Sequence, residues 1–225
     1  MEQRFRYCLD DVSCKKILIV GAGTLGNELL KNLILSGVTD VTLVDNDSYV
    51  IENLPRSTLI EKTDIGRNKA EALANRAVLK SPFAANITAV NADILQLGWG
   101  FLESFDLIFS PVDNIATRYF LNKGALLTKK PHITLGTNFI GDHTFTGEVI
   151  YIPHETRACL ECIWAIQASV ELTKRLQCKG LDEKKELQPQ VMCFSSIVAG
   201  IASHIGLKYL LKKSGTEVVG FVCTG

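Results

Sequence analysis

Short apolar runs alternate along this chain with segments in which apolar residues recur every three or four positions. Lys16–Val20 reads KILIV and Val41–Val44 reads VTLV, continuous runs of the kind that form buried parallel strands. Between them, Asn27–Ser36 carries Leu29, Leu30, Leu33 and Ile34 on one helical face. Apolar runs at 148–152 and 218–222 predict additional strands in the C-terminal half. The pattern therefore predicts an α/β fold with a mostly parallel sheet flanked by helices.

A glycine-rich loop, GAGTLG at Gly21–Gly26, joins the first strand to the first helix. Gly21 permits the tight turn, Gly23 lets a ligand approach the backbone, and Gly26 lets helix and strand pack closely. The loop presents free N–H groups at the helix N-terminus, where anions such as phosphate bind. The fold is therefore predicted to be Rossmann-like, with a nucleotide site at this loop.

An acidic residue completes this mononucleotide-binding half. Asp45 follows the second strand, 19 residues beyond Gly26, a position from which a carboxylate reaches a ribose hydroxyl. With only these features, an NAD-binding unit is as good an interpretation as an ATP site.

The segment after Asp45 contains cations that an NAD site does not need. Asp47, Asn53 and Arg56 lie in a polar stretch, and Lys69 begins the next predicted helix. A triphosphate and a departing pyrophosphate require positive charge around them, which Arg56 and Lys69 supply. Taken singly, each cation is also typical of solvated surface. In combination with the glycine loop they favour ATP.

A further apolar strand ends in a second polar segment. Asp106–Val112 reads DLIFSPV and runs directly into Asp113 and Asn114. Ligands of open α/β sheets bind beyond the carboxyl ends of the strands, so this pair is expected at the same edge as the glycine loop. Asp113 is a candidate Mg²⁺ ligand. It also fits as the N-cap of a helix predicted to start near Ala116.

The order of the motifs GAGTLG, VDNDSYVIENLPR, IGRNK, VDN, CLEC and MCFSS resembles the ThiF/MoeB/HesA family, the adenylyltransferases related to ubiquitin-activating enzymes. The resemblance implies an enzyme that uses ATP to adenylate the C-terminal glycine of a small ubiquitin-like or sulfur-carrier protein. It implies catalytic roles for Arg56, Lys69 and Asp113. Thr24 stands where the family often has glycine. The implied ATP and Mg²⁺ site consists of Gly21, Gly23, Thr24, Gly26, Asp45, Asp47, Asn53, Arg56, Lys69, Asp113 and Asn114.

Two cysteines provide half of a zinc site. Cys159 and Cys162 form a CxxC after the predicted strand EVIYI, and structural zinc normally has four protein ligands. The resemblance implies a second CxxC after the last strand, but the sequence offers only Cys223 in that area. Either the natural protein continues past Gly225 or the second pair is absent. Zinc is therefore a candidate cofactor with an incomplete set of ligands.

A second catalytic role is open to a cysteine in the crossover segment, at about residues 163–195. Cys193 lies beside the predicted N-terminus of a helix at Ser195–Lys213, where the helix dipole favours a thiolate that could form a thioester. Cys178, flanked by cations, is the alternative nucleophile. Equally, Cys193 fits as a small buried apolar residue.

Composition indicates one compact domain covering residues 1–225. Lys plus Arg and Asp plus Glu both number 24, so no charge bias points to nucleic acid or to an anionic membrane. The first residues lack an apolar signal region, and Ile197–Leu211 is interrupted by polar residues, so no membrane span is expected. The odd number of cysteines, 7, predicts free thiols in a reducing cytoplasm.

Other functions and an assembly state remain as hypotheses. A related enzyme could adenylate a peptide, a small molecule or an RNA base, and the CLEC motif counts against the RNA base. A non-catalytic or NAD-binding Rossmann module is disfavoured by Arg56, Lys69 and Asp113 together. The resemblance also implies a homodimer, in which Arg4 or Arg6 reaches the phosphate site of the partner.

Overall fold

A computed structural model describes residues 12–139, 145–155, 159–164 and 191–211. The strands in these ranges are β1 (Lys16–Val20), β2 (Asp40–Val44), β3 (Asn86–Val90), β4 (Leu107–Ser110), β5 (His132–Phe139) and β6 (Phe145–Ile152). They form one sheet with the order β3-β2-β1-β4-β5-β6. The first five strands are parallel, and β6 runs antiparallel to β5. This confirms the predicted Rossmann-like fold.

Helices cover both faces of the sheet because alternate strand residues point to opposite sides. Ile17 and Ile19 of β1 belong to the apolar core on one face, and Leu18 and Val20 belong to the core on the other. The helices packed on the sheet are α1 (Thr24–Leu35), α2 (Lys69–Lys80), α3 (Ile94–Leu97), α4 (Ile115–Leu127), α5 (Met192–Leu210) and the 3₁₀ helix Trp99–Ser104. The first core includes α1, α2 and α5, and the second includes α3, α4 and this 3₁₀ helix.

The strand order reverses between β1 and β4, which are neighbours in the sheet. The loops that follow these two strands therefore diverge and leave a crevice, where doubly wound folds bind ligands. One of the loops is the glycine loop, and the other leads to Asp113. The topology thus places the two predicted halves of the site side by side.

Element ends differ from those predicted. α1 already begins at Thr24, because three residues of the glycine motif have helical backbone. β4 ends at Ser110, since Pro111 cannot donate to the sheet. α5 starts at Met192, after an extended Val191, so Cys193 lies inside its first turn and not before it.

By length and composition, α5 could cross a membrane, and 39% of that stretch is buried within the protein. Its buried face packs against α1, β5 and β6. Gly206 on this face allows close approach, because a side chain there would meet the ring of Phe109. These contacts are typical of a core helix.

Candidate functional site

Backbone contacts fix the glycine loop against the segment that follows β4. Gly21 has a φ of 107°, and a Cβ there would lie 2.8 Å from the carbonyl oxygen of Pro111. A side chain at Gly26 would collide with the carbonyl group of Gly21. Gly23 precedes α1, and a Cβ built there would have no neighbouring atom within 4 Å. The loop is therefore tightly packed at its two ends and accessible in the middle.

Asp45 ties this loop to the end of β2. Its Oδ2 accepts a hydrogen bond of 2.7 Å from the N–H of Ala22, and its Oδ1 accepts one of 2.9 Å from Asp47. Burial raises the pKa of Asp45, although these two N–H groups and Lys69 oppose the shift. On the other side, the buried hydroxyl of Tyr49 donates to the carbonyl of Ala22 at 2.6 Å. Ala22 is thus held from both sides.

Lys69 lies at the start of α2, as predicted, and reaches back toward β2. Its Nζ is 2.9 Å from Oδ2 of Asp47, and only 15% of its side chain is exposed. Asn68, the N-cap of α2, donates to the carbonyls of Asp45 and Asp47 at 2.9 and 3.1 Å. The cation is therefore held beside the acidic end of β2 by backbone and side-chain bonds together.

Asn53 and Arg56 lie on a neighbouring 3₁₀ helix, Ile51–Arg56. The Oδ1 of Asn53 accepts from the N–H of Val50 at 3.0 Å and so caps this helix. Arg56 is its last residue and is half-buried. The chain that follows Arg56 is attached to α1, because the Oδ1 of Asn27 accepts from the N–H of Leu59 at 3.1 Å.

Asp113 and Asn114 follow β4, and both are exposed. The Oδ1 of Asn114 accepts from the N–H of Thr117 at 2.7 Å, which makes Asn114 the N-cap of α4. The capping role considered for Asp113 therefore belongs to its neighbour. An exposed carboxylate beside the open glycine loop fits a Mg²⁺ ion, which prefers oxygen ligands.

Arg118 holds the segment after β4 through hydrogen bonds. Its Nε donates to the carbonyl of Val112 at 2.8 Å, and its two terminal nitrogens reach Glu148 at 2.6 Å and the carbonyl of Leu135 at 3.2 Å. A side chain at Gly136 would occupy the space of the guanidinium group. The buried Arg118 thus fixes the carbonyl of Val112, the residue before Asp113.

Sequence reasoning missed Tyr49, Asn68 and Arg118. Asn68 carried a usable signal, since Asn three residues before Glu71 at a helix start is typical of an N-cap. Tyr49 and Arg118 carried none, because Tyr49 bonds to a carbonyl 27 residues away, and Arg118 bonds to a carbonyl and a carboxylate 17 and 30 residues away.

The two cysteines of the CxxC lie 3.4 Å apart, measured between their sulfur atoms. Hydrogen bonds from the backbone and the thiol of Cys159 lower the pKa of Cys162. A short helical turn follows Cys159 at residues 160–164 and packs on α4. Leu160 N–H donates to Asn122 Oδ1 at 3.0 Å, and Trp164 lies against the Arg118 guanidinium. Two adjacent thiols suit zinc, but no cluster of three or more potential ligands occurs within the described ranges.

Of the remaining predicted residues, only Cys193 lies within the described ranges. Cys193 is exposed in the first turn of α5, so its assignment as a buried packing residue is wrong. The others lie outside the described residues, so the predictions made for them stay predictions: Arg4, Arg6, Cys178 and Cys223.

Comparison with known protein families shows the family of this chain. Residues 7–224 match the ThiF family. The chain belongs to the ThiF family. The resemblance identified from the motifs is thereby confirmed over nearly the whole length of this ThiF protein.

Curated relatives of this ThiF protein include subunits of larger activating enzymes. It is 37% identical over 155 residues to SUMO-activating enzyme subunit 2 of Dictyostelium discoideum, covering 68% of this chain and 22% of that protein. It is 39% identical over 107 residues to the NEDD8-activating enzyme E1 catalytic subunit of Caenorhabditis elegans, covering 48% and 25%. The ThiF chain therefore spans about a quarter or less of these two relatives.

Solved structures share the fold of the ThiF protein. Escherichia coli MccB crystallised with ATP has a TM-score of 0.70 at 19% identity, covering 96% of this chain and 65% of that one. PaaA has a TM-score of 0.76 at 19% identity, covering 99% and 73%. At this identity the likeness establishes the architecture alone.

Proposed function

We propose that this ThiF protein is an ATP-dependent adenylyltransferase. Its substrate is the C-terminal carboxylate of a small ubiquitin-like or sulfur-carrier protein that ends in Gly-Gly. The observation that carries the proposal is that three features follow the carboxyl ends of neighbouring parallel strands: the open glycine loop after β1, the Lys69–Asp47 pair after β2 and the exposed Asp113 after β4. The names of the SUMO- and NEDD8-activating relatives support the choice of substrate.

The residues suit nucleophilic attack by a carboxylate on the α-phosphate of ATP. The carboxylate oxygen bonds to phosphorus, pyrophosphate leaves, and negative charge grows on the phosphate oxygens. Lys69 stabilises that charge when its ammonium group turns from Asp47 to a phosphate oxygen, and Arg56 adds a second cation. Asp45 holds the ribose with the lone pairs that its two backbone bonds leave available. No general base is required, because the attacking carboxylate is ionised near neutral pH.

Magnesium is part of the proposal, with Asp113 as its protein ligand. When bound, Mg²⁺ neutralises phosphate charge. Asn114 is held in place by capping α4, and Arg118 braces Val112, so the Asp113 backbone is fixed on both sides.

A thioester step on Cys193 extends the proposal. The thiolate of Cys193 attacks the carbonyl carbon of the acyl-adenylate, a C–S bond forms, and AMP leaves. Exposure in the first turn of α5 makes this sulfur accessible. Cys178 stays the alternative nucleophile, and without either thioester the protein belongs with activators of sulfur carriers.

Three further expectations accompany the enzyme. Zinc bound by Cys159 and Cys162 with ligands from elsewhere would stabilise the turn at 159–164. A homodimer would bring Arg4 or Arg6 to the partner's phosphates. A reducing cytoplasm would keep the thiols free. Each stays a prediction.

Pyrophosphate exchange tests the activity. The protein is incubated with ATP, Mg²⁺, labelled pyrophosphate and a candidate partner ending in Gly-Gly. Label should enter ATP with this partner and not with the same partner lacking its last glycine. Micromolar binding of NAD with no response to ATP would instead establish the dehydrogenase-like alternative.

A further inference from the structure

A buried carboxylate lies on α1, two residues beyond Gly26. The Glu28 side chain is 1% exposed and receives three hydrogen bonds. Its Oε1 accepts from the hydroxyl of Thr58, and its Oε2 accepts from Lys31 Nζ at 2.6 Å and from Ser196 Oγ at 2.8 Å. Burial alone would raise the pKa of Glu28, but these three donors outweigh it and hold the pKa below its usual value. The carboxylate is therefore charged inside the protein.

Two of the donors belong to functional segments of the chain. Thr58 comes two residues after Arg56, and Ser196 comes three residues after Cys193, one helical turn along α5. The Ser196 hydroxyl also lies 3.0 Å from the carbonyl of Met192, in the turn that carries Cys193. Glu28 thus joins the Arg56 segment, the Cys193 turn and the glycine-loop helix at one point.

Packing alone gives no reason for a charge here. A well-packed apolar residue commonly stabilises a protein as much as a buried ionic group does, because desolvation offsets the attraction. The neighbouring Asn27 repeats the pattern, since its Oδ1 holds the N–H of Leu59. Asn27 and Glu28, two consecutive buried residues of α1, therefore both accept hydrogen bonds from the chain that follows Arg56.

We propose that Glu28 is a positioning residue that holds both the Arg56 segment and the Cys193 turn against the glycine-loop helix. The inference rests on the proposed function for the roles of Arg56 and Cys193. Glu28 acts through these two segments. Its two arms, through Thr58 and through Ser196, act on different steps, adenylation and access to the thiol.

Mild variants of the 225-residue chain separate the two roles of Glu28. Thr58→Val keeps the side-chain shape and removes the hydroxyl, and Ser196→Ala does the same on α5. Ser203→Ala is the matched control, because among the described residues the buried Ser203 hydroxyl bonds only to its own helix, at the carbonyl of Ala199. Glu28→Gln removes the charge that both arms share.

The Thr58 arm is measured by pyrophosphate exchange. Since Arg56 is proposed to act on charge that develops in the reaction, Thr58→Val should lower kcat by roughly threefold or more while KM for ATP stays nearly constant. Ser203→Ala should change neither constant. A rise in KM alone, or an unchanged kcat, would overturn this arm.

The Ser196 arm is measured without any turnover. N-ethylmaleimide labels the protein, and mass spectrometry follows the peptide that contains Cys193. Ser196→Ala should change the labelling rate of Cys193 by at least roughly twofold, and Ser203→Ala should not. In the Glu28→Gln background, Ser196→Ala should add little, because the shared partner has already been altered.

Failure of this inference differs from failure of the proposed function. If the wild-type protein gives no exchange with any Gly-Gly partner, the proposed function fails. The labelling experiment still tests whether Glu28 positions the Cys193 turn. If Ser196→Ala behaves like Ser203→Ala, or its effect adds fully to that of Glu28→Gln, Glu28 does not position the Cys193 turn.

Discussion

The phosphate edge and the cysteine region of this protein are built in different ways. The phosphate edge, comprising residues 21–26, 45–69 and 112–114, is held mainly by bonds to backbone groups at the ends of adjacent parallel strands. In the cysteine region, comprising residues 159–164 and 192–196, the long-range hydrogen bonds come from single side chains of helices, Asn122 and Glu28, and the apolar face of α5 adds packing. One region is fixed by backbone bonds at the sheet edge, and the other by helix packing with a few long-range side-chain bonds.

This difference implies that the two regions respond separately to substitution. Changes at the phosphate edge should remove the proposed chemistry or disrupt the loop. Changes in the cysteine region should leave adenylation in place and alter later steps.

The largest effect is expected at Asp113. Asp113→Ala should reduce pyrophosphate exchange by about a hundredfold or more, because a lost metal ligand costs several kcal/mol of transition-state stabilisation. The exposed position predicts unchanged thermal unfolding. Glu103→Ala, at another exposed acid, is the control and should leave exchange intact. Equal exchange by both variants would remove Asp113 from the site.

Arg118 connects the two regions, because it binds Val112 and also lies against Trp164. Arg118→Met should lower the free energy of unfolding by about 3 kcal/mol, since three acceptors lose their donor inside the protein. Glu148→Gln keeps an acceptor near the guanidinium and should cost clearly less. Chemical denaturation measures both. Similar losses in the two variants would show that the backbone bonds of Arg118 contribute little.

Two glycines of the same loop should behave differently. Gly26→Ala forces a methyl group onto the Gly21 carbonyl and should destabilise the fold by about 2 kcal/mol. Gly23 has an ordinary φ of −76° and open space, so Gly23→Ala should leave stability unchanged and weaken ATP binding. Denaturation and titration calorimetry test the pair. A stable Gly26→Ala variant would contradict the packing described here.

Much of the phosphate edge could be predicted because its signals are local. Gly21, Asp45 and Lys69 follow strands or begin helices that the apolar pattern already predicts, and parallel topology then brings them together. Glu28 could not be predicted, since its position in a helix gives no sign of Thr58 or Ser196, and Ser196 is 168 residues away. The helix starts were misplaced because Thr24 and Met192 were interpreted as loop residues.

A buried histidine, bonded to the last residue of β4, gives the stability of the protein a pH dependence. His132 bonds through Nε2 to Ser110 Oγ at 2.7 Å, and burial lowers its pKa to about 3. The unfolded chain takes up a proton below its ordinary pKa near 6.5, while the folded protein does not. Stability should therefore fall as pH drops from about 6.5 toward 3, by about 1 kcal/mol per pH unit.

His132→Gln should flatten this slope, and His204→Gln, at an exposed position on α5, should keep it. Denaturation at several pH values measures the difference. An identical slope in both variants would show that carboxylates, and not His132, determine the pH dependence.

The smallest effect on adenylation is expected at Cys193, because the acyl-adenylate forms before any thiol reacts. Incubation with ATP, Mg²⁺ and the partner should give a covalent adduct that dithiothreitol removes, since thiols cleave thioesters and not amides. Cys193→Ala should abolish the adduct while pyrophosphate exchange continues. Loss of the adduct in Cys178→Ala instead would transfer the nucleophile to Cys178. If neither thiol forms an adduct and the adenylate is released, the cysteine region serves binding or metal and not transfer, and the phosphate edge alone carries the chemistry.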